Sequence, residues 1–163
     1  MAQEILFEQK DWMYSYRVGA LLWREGKILM QRTVHSDGYT LPGGQVPFGE
    51  YSQKALAQKL MEETGAAVHI GRLAMVAELF FQWHKPCHQV CFYYLAEAKN
   101  AEALPKGPFR AYDELGRERP ESEFEWIEAK RLDEIKIYPS CIKPYLKDLP
   151  DYVVHLQQKE GEV

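Results

Sequence analysis

Cysteine is scarce in this chain, and what there is forms an odd set: Cys87, Cys91 and Cys141 among 163 residues. Three thiols make no disulfide framework, so packing must hold the core and a reducing compartment is expected. Long apolar runs are missing too. No stretch approaches the roughly 20 apolar residues that cross a bilayer, and the opening MAQEIL has no basic segment leading into an apolar one. A cytoplasmic location without a membrane partner is therefore expected. Positive charge is not in excess: 20 Lys and Arg against 24 Asp and Glu give a formal net charge of −4. That leaves no broad basic field for extended nucleic acid, while a nucleotide-sized ligand stays open. Internal repeats are absent, and the length suits one domain, residues 1–163, with its core at about 15–147.

What the chain does carry is a short-range grammar of strands and turns. Two apolar runs, Val18 to Trp23 and Lys27 to Met30, flank Arg24-Glu25-Gly26 and predict a hairpin. A short extended piece at Tyr39 to Leu41 meets Pro42-Gly43-Gly44, a tight turn with accessible backbone. From Ser52, read as the N-cap, Ala55, Leu56 and Leu60 recur at helical spacing until Gly65 stops the helix. Val68 to Trp83 and His88 to Ala96, rich in β-branched and aromatic residues, predict a second and longer hairpin. Residues 97–122 carry Pro105, Gly107, Pro108, Gly116 and Pro120 without apolar periodicity and read as a long loop beside the site. A strand at Phe124 to Ile127, a short helix at Arg131 to Ile135 and a last helix at Ser140 to Leu149 follow. The tail after Tyr152 reads as frayed or helical.

The chemistry concentrates between Gly43 and Ala66, GGQVPFGEYSQKALAQKLMEETGA. Gly44, five residues, Glu50, seven residues, then Gln58-Lys59-Leu60-Met61-Glu62-Glu63-Thr64-Gly65-Ala66: this resembles the box of the Nudix hydrolases, G-x5-E-x7-R-E-U-x-E-E-x-G-U with U aliphatic. Two positions depart from it, since Gln58 and Lys59 stand where the pattern has Arg and Glu. The resemblance implies an α/β fold, an α/β/α sandwich around a mixed β-sheet, with the box helix on one face and the C-terminal helix on the other. It also implies a site that holds Mg²⁺, with Mn²⁺ as a substitute, through Glu62, Glu63 and the carbonyl of Gly44.

Magnesium favours six oxygen ligands and keeps several waters, so two carboxylates, a carbonyl and substrate phosphates are sufficient. Phosphoanhydride hydrolysis asks a protein mainly to align water and neutralise phosphate oxygens. Residues three and four apart share a helix face, so position 59, Glu62 and Glu63 are expected to project together. Lys59 cannot bind magnesium while protonated, and its ammonium is expected to draw the pKa values of both glutamates down. Gln58 can offer Glu50 only a neutral hydrogen bond; Lys54, one turn on, is a replacement partner for Glu50, whose expected role is to support the helix. A general base from outside the box is sought first at Glu121 and Glu123, then at Glu78. Arg32 or Lys59 is expected to meet substrate phosphate.

Bland readings stand beside these. His84, Cys87, His88 and Cys91 have zinc-type side chains but lie within eight residues at a hairpin, unlike the separated ligand pairs of closed zinc sites, so zinc is not expected. Phe80, Phe81, Trp83, Tyr93 and Tyr94 alternate along two strands; one set faces the core and the other is free to meet a ring. The first functional expectation is a metal-dependent hydrolase of a nucleoside diphosphate linked to another moiety. The second is a module that binds a nucleotide or sugar nucleotide without turnover, Lys59 replacing the metal's charge; the third is an interaction domain. A homodimer is left open.

Overall fold

The computed structural model describes residues 2–160. Its strands are β1 (Leu6–Gln9), β2 (Trp12–Arg24), β3 (Lys27–Thr33) and β4 (Gly43–Gln45), followed by helix α1 (Ser52–Thr64). Beyond the helix come β5 (Val68–Gln82), β6 (Pro86–Ala98), β7 (Phe109–Tyr112), β8 (Glu118–Glu128), the short helix α2 (Lys143–Lys147) and β9 (Val154–Lys159). The strands form one mixed sheet in the order β7-β8-β3-β2-β6-β5-β9, with β1 and β4 also paired to β2. β2 runs parallel to β6 from Met13 opposite Cys87 to Leu22 opposite Ala96, and β5 runs parallel to β9. No helix among the described residues is long and apolar enough to cross a membrane.

Alternation along β2 sorts the core into two layers. Val18, Ala20 and Leu22 point to the face that α1 covers, where they meet Ala55, Leu56 and Leu60. Leu21 points the other way, joining Ile28, Met30, Leu132, Ile142 and Leu146 under the C-terminal helical turns. The period of two in the strand and the i, i+4 spacing in the helix thus meet in one three-layer arrangement. Complete burial of Leu56 and Leu60 anchors α1 with about 1.5–3 kcal/mol each. Gly65, in the left-handed conformation at φ 77°, ends α1 by donating its backbone N–H to the carbonyl of Met61.

Several local expectations fail for identifiable reasons. Residues 97–122 are not one loop: β6 continues to Ala98, and β7 pairs with β8 as a hairpin whose register shifts between Arg110 and Ala111, leaving 99–108 irregular around a 3-10 turn at Ala101–Ala103. β7 lies at the sheet edge and the first half of β8 beside it is polar; the turn between them is stabilised by Asp113, whose carboxylate accepts from the N–H groups of Leu115 and Arg117. Among the described residues, the tail after Tyr152 is neither frayed nor helical, and residues 161–163 of that expectation lie outside them. It becomes β9, with Val154 and Leu156 buried and the strand paired to β5. Ser52 is not the N-cap; Tyr51 holds that place, and the Ser52 hydroxyl lies 2.6 Å from the Tyr94 hydroxyl.

Candidate functional site

The main cleft arises where the sheet splits. β2 and β3 pair only at Trp23–Ile28 and Arg24–Lys27, next to their turn. Beyond it β2 turns to β4, while β3 keeps β8. Residues 39–45 wedge between them, bonded to β3 through Thr40 and Gln31 and to β2 through the Pro42 carbonyl and the Ala20 N–H. The resulting cavity is about 660 Å³, large enough for a nucleotide-sized ligand. Its apolar lining includes Gly19, Leu41, Leu79, Phe81, Cys91 and Tyr93; Arg17, Lys59, Glu63 and Arg119 bring charge to it. Gly19 leaves room for an aromatic ring here, since a Cβ would lie 2.8 Å from Tyr93.

Gly43 and Gly44 have different reasons to be glycine. A Cβ on Gly43 would lie 1.9 Å from the backbone oxygen of Val18, so β4 could not pair with β2. On Gly44 it would meet the Lys59 side chain at 3.2 Å. The missing side chain at position 44 leaves room for the Lys59 chain where it passes β4.

α1 distributes its charges over two clefts. Lys59 and Glu63, one turn apart, both line the main cleft. Glu62 opens instead on a second cavity of about 490 Å³, together with Glu50 and Gln58. The expected convergence of position 59, Glu62 and Glu63 on one point is therefore met only in part: Lys59 lines both cavities, whereas the two glutamates open on different ones, as consecutive helical residues pointing about 100° apart allow. Glu62 accepts a hydrogen bond of 3.1 Å from Gln58. Gln58 is thus committed to Glu62, and Glu50 has Lys54 as its partner at 3.8 Å, the replacement the sequence suggests.

Glu63 is the buried carboxylate of the main cleft, 9% exposed. Its Oε2 has no hydrogen-bond partner, and its nearest cation, Arg119, lies 4.0 Å from Oε1. Burial raises its pKa to about 7, although Arg119, Lys59 and Arg17 oppose the rise. The expected depression by Lys59 is overturned here because desolvation outweighs three cations, none of which touches the carboxylate. Lys59 is turned elsewhere: its ammonium is ion-paired with Glu4.

The other expected residues fall at varying distances from this centre. Arg32 lines the cleft with its guanidinium 5.0 Å from the centre of the Tyr39 ring. Glu121, exposed on β8, also lines the cleft. Glu123 pairs in register with Arg32 of β3 and Arg110 of β7 and is not part of the cleft lining. Glu78 is bonded to His155 of β9 at 2.7 Å, away from the cleft lining. Among the described residues, no group of three or more His, Cys, Asp or Glu side chains is placed to hold a metal ion. The orphaned Oε2 of Glu63 nevertheless fits one divalent cation, provided that the remaining ligands come from backbone, water and substrate.

Four contributors escaped sequence reasoning. Arg17 could have been found, since a lone charge within the apolar run of β2 demands a reason. Glu4, Gln45 and Arg119 have no local signal. Gln45 matters because its buried Oε1 is the other side-chain atom, beside Glu63 Oε2, left without a partner among the described residues, and it too lines the main cleft.

The sequence model described as NUDIX domain matches residues 13–149. Among similar solved structures is a Nudix hydrolase from Nitrosomonas europaea, 20% identical with a TM-score of 0.63 over 90% of this chain and 79% of that one. A MutT protein from Bacillus halodurans is 15% identical with a TM-score of 0.65, covering 90% of each chain. An ADP-ribose pyrophosphatase from Streptococcus suis is 14% identical with a TM-score of 0.53, over 88% of this chain and 98% of that one. At such identities the likeness concerns the fold. No curated protein matches the chain.

Proposed function

The chain belongs to the NUDIX domain family, and from that premise we propose that it hydrolyses a phosphoanhydride bond in a nucleoside diphosphate linked to another moiety, at the cleft around Glu63. The observation that carries this reading is the buried Glu63 carboxylate with its unpartnered Oε2, set among Arg17, Lys59 and Arg119. A buried acid without a close counter-charge is costly to keep, and such costs concentrate where function needs them.

Each part of the cleft has a task. Arg17, Lys59 and Arg119 take up charge on the diphosphate oxygens, Lys59 once it leaves Glu4. Glu63 and the Gly44 carbonyl would hold a divalent cation, with Glu62 as the further carboxylate of the same helix. When bound, that cation supplies neutralisation of phosphate charge and an oriented water. Glu121 takes the proton of the attacking water as its oxygen bonds to phosphorus and the bridging P–O bond breaks toward the leaving phosphate. Phe81 and Tyr93 offer apolar surface to a ring, and Gln45 Oε1 accepts from a ligand donor.

A second reading, binding without turnover, is favoured by Lys59 itself, which brings a fixed cation to the place where the family pattern has an acid. The two are separated by product release from nucleoside triphosphates, dinucleoside polyphosphates, ADP-ribose and nucleotide sugars with Mg²⁺ or Mn²⁺. Turnover by wild type that vanishes in Glu63→Gln and in chelator supports hydrolysis. Binding that survives chelator without product supports the module.

A further inference from the structure

Glu4, Lys59 and Arg119 line both cavities, so they form the partition between the cleft that holds Glu63 and the one that holds Glu50 and Glu62. We infer that this partition is a phosphate subsite in which Glu4 acts as a resident stand-in for the ligand, holding Lys59 until a phosphate group displaces it. The inference rests on the proposed function and names the device that regulates access to the same site.

Glu4 is not a side chain that happens to lie near. The amino-terminal segment is strapped to the loop after β4 on both sides of it: Ile5 donates its backbone N–H to Val46 at 2.9 Å, Phe48 donates to Gln3 at 2.8 Å, and Glu4 itself bridges Pro47. The strap delivers one carboxylate to the Lys59 ammonium. That ammonium could have served Glu63, one helical turn away, whose Oε2 instead stays unpartnered. Two acids thus compete for one cation, and the one from the strap has it.

A carboxylate on an ammonium presents the same contact as a phosphate oxygen, with less charge and fewer acceptors. A phosphate entering the main cleft meets Arg17 and Arg119 as well, contacts that Glu4 does not have among the described residues. The Glu4–Lys59 pair is part-exposed, its side chains 44% and 24% accessible, so exchange of partners is cheap. Displacing Glu4 also opens the partition and lets the Glu62 side communicate with Glu63. Glu4 is therefore a positioning residue that lowers affinity for phosphate ligands.

The test is a double-mutant cycle read by calorimetric binding of inorganic pyrophosphate, in chelator and in Mg²⁺, to wild type, Glu4→Gln, Lys59→Gln and the double variant. Removing the competitor should tighten binding about 2- to 5-fold in Glu4→Gln. Lys59→Gln should weaken it about 10-fold, and the Glu4 substitution should have no effect in the Lys59→Gln background. A merely structural role for Glu4 predicts weaker binding, never tighter. Glu4→Asp, whose shorter side chain withdraws from Lys59, should shift affinity in the same direction and serves if Glu4→Gln does not fold. If wild type binds pyrophosphate and neither Glu4 variant binds it more tightly, or the gain persists without Lys59, the inference is overturned while the proposed function stands. If no variant binds pyrophosphate in either condition, both fall.

Discussion

Removing the charge of Glu63 should make the protein more resistant to high pH, and the size of the effect follows from its setting. Burial lifts its pKa from 4.5 to about 7, a difference worth about 3 kcal/mol between its protonation states. Because the folded value is the higher, the folded state keeps a proton that the unfolded chain has already released between these pH values. The stability this proton represents is fully present below about 4.5, is lost as pH rises through 7, and stays lost above it. Glu63→Gln carries an amide of similar shape and has no such slope. Urea denaturation of the two proteins in chelator, from pH 4.5 to 8.5, cancels every other titration in the difference. That difference should move by about 3 kcal/mol in favour of the variant as pH rises, then level off near pH 8. Millimolar Mg²⁺ at pH 8 should return part of it to wild type alone. A pH-independent difference would refute the reasoning, for it would mean that Glu63 is as well solvated or as well paired in the folded state as outside it.

The two glycines of β4 should behave oppositely. Gly43→Ala drives a methyl into the backbone of Val18 and should cost more than about 3 kcal/mol in denaturant, whereas Gly44→Ala only displaces the Lys59 chain and should cost under about 1 kcal/mol while weakening pyrophosphate binding. Leu60→Ala leaves a cavity under α1 at a fully buried position and should cost about 2–5 kcal/mol by the same measurement. Leu156→Glu puts a charge where β9 is buried against β5; a melting temperature lowered by several degrees is expected, and none would be lost if the tail did not pair.

How much could be read from the sequence depends on whether the signal is local. The α1 register, its stop at Gly65 and the β2–β3 turn were legible because spacing and a left-handed residue are written into the segment itself. The apolar half of β8, Phe124 to Ile127, was legible too, but β7, the polar first half of β8 and β9 were not: these are polar or short and show no apolar pattern until a partner strand is supplied. The box spacing located Lys59, Glu62 and Glu63 on one helix and Gly44 just ahead of it, where the expected tight turn is strand β4. It could not tell that Glu62 would face a second cavity, which depends on where residues 2–5 and β8 lie across the helix. The capture of Lys59 by Glu4 joins residues 55 apart, and Glu63 is set among Arg17 and Arg119 from distant strands, beyond any window of periodicity.

The proposed seat of a nucleotide's diphosphate is the cleft between β2 and β3, with Glu63 at its charged end. Amide shift mapping of ¹⁵N-labelled protein with a non-hydrolysable methylene-bridged ADP analogue and Mg²⁺ tests it most directly. Shifts should concentrate at Arg17 to Gly19, Gly43 to Gln45 and Lys59 to Glu63, and be sharply reduced in Glu63→Gln. Shifts confined to another face of the sheet, or none at saturating ligand, would contradict it.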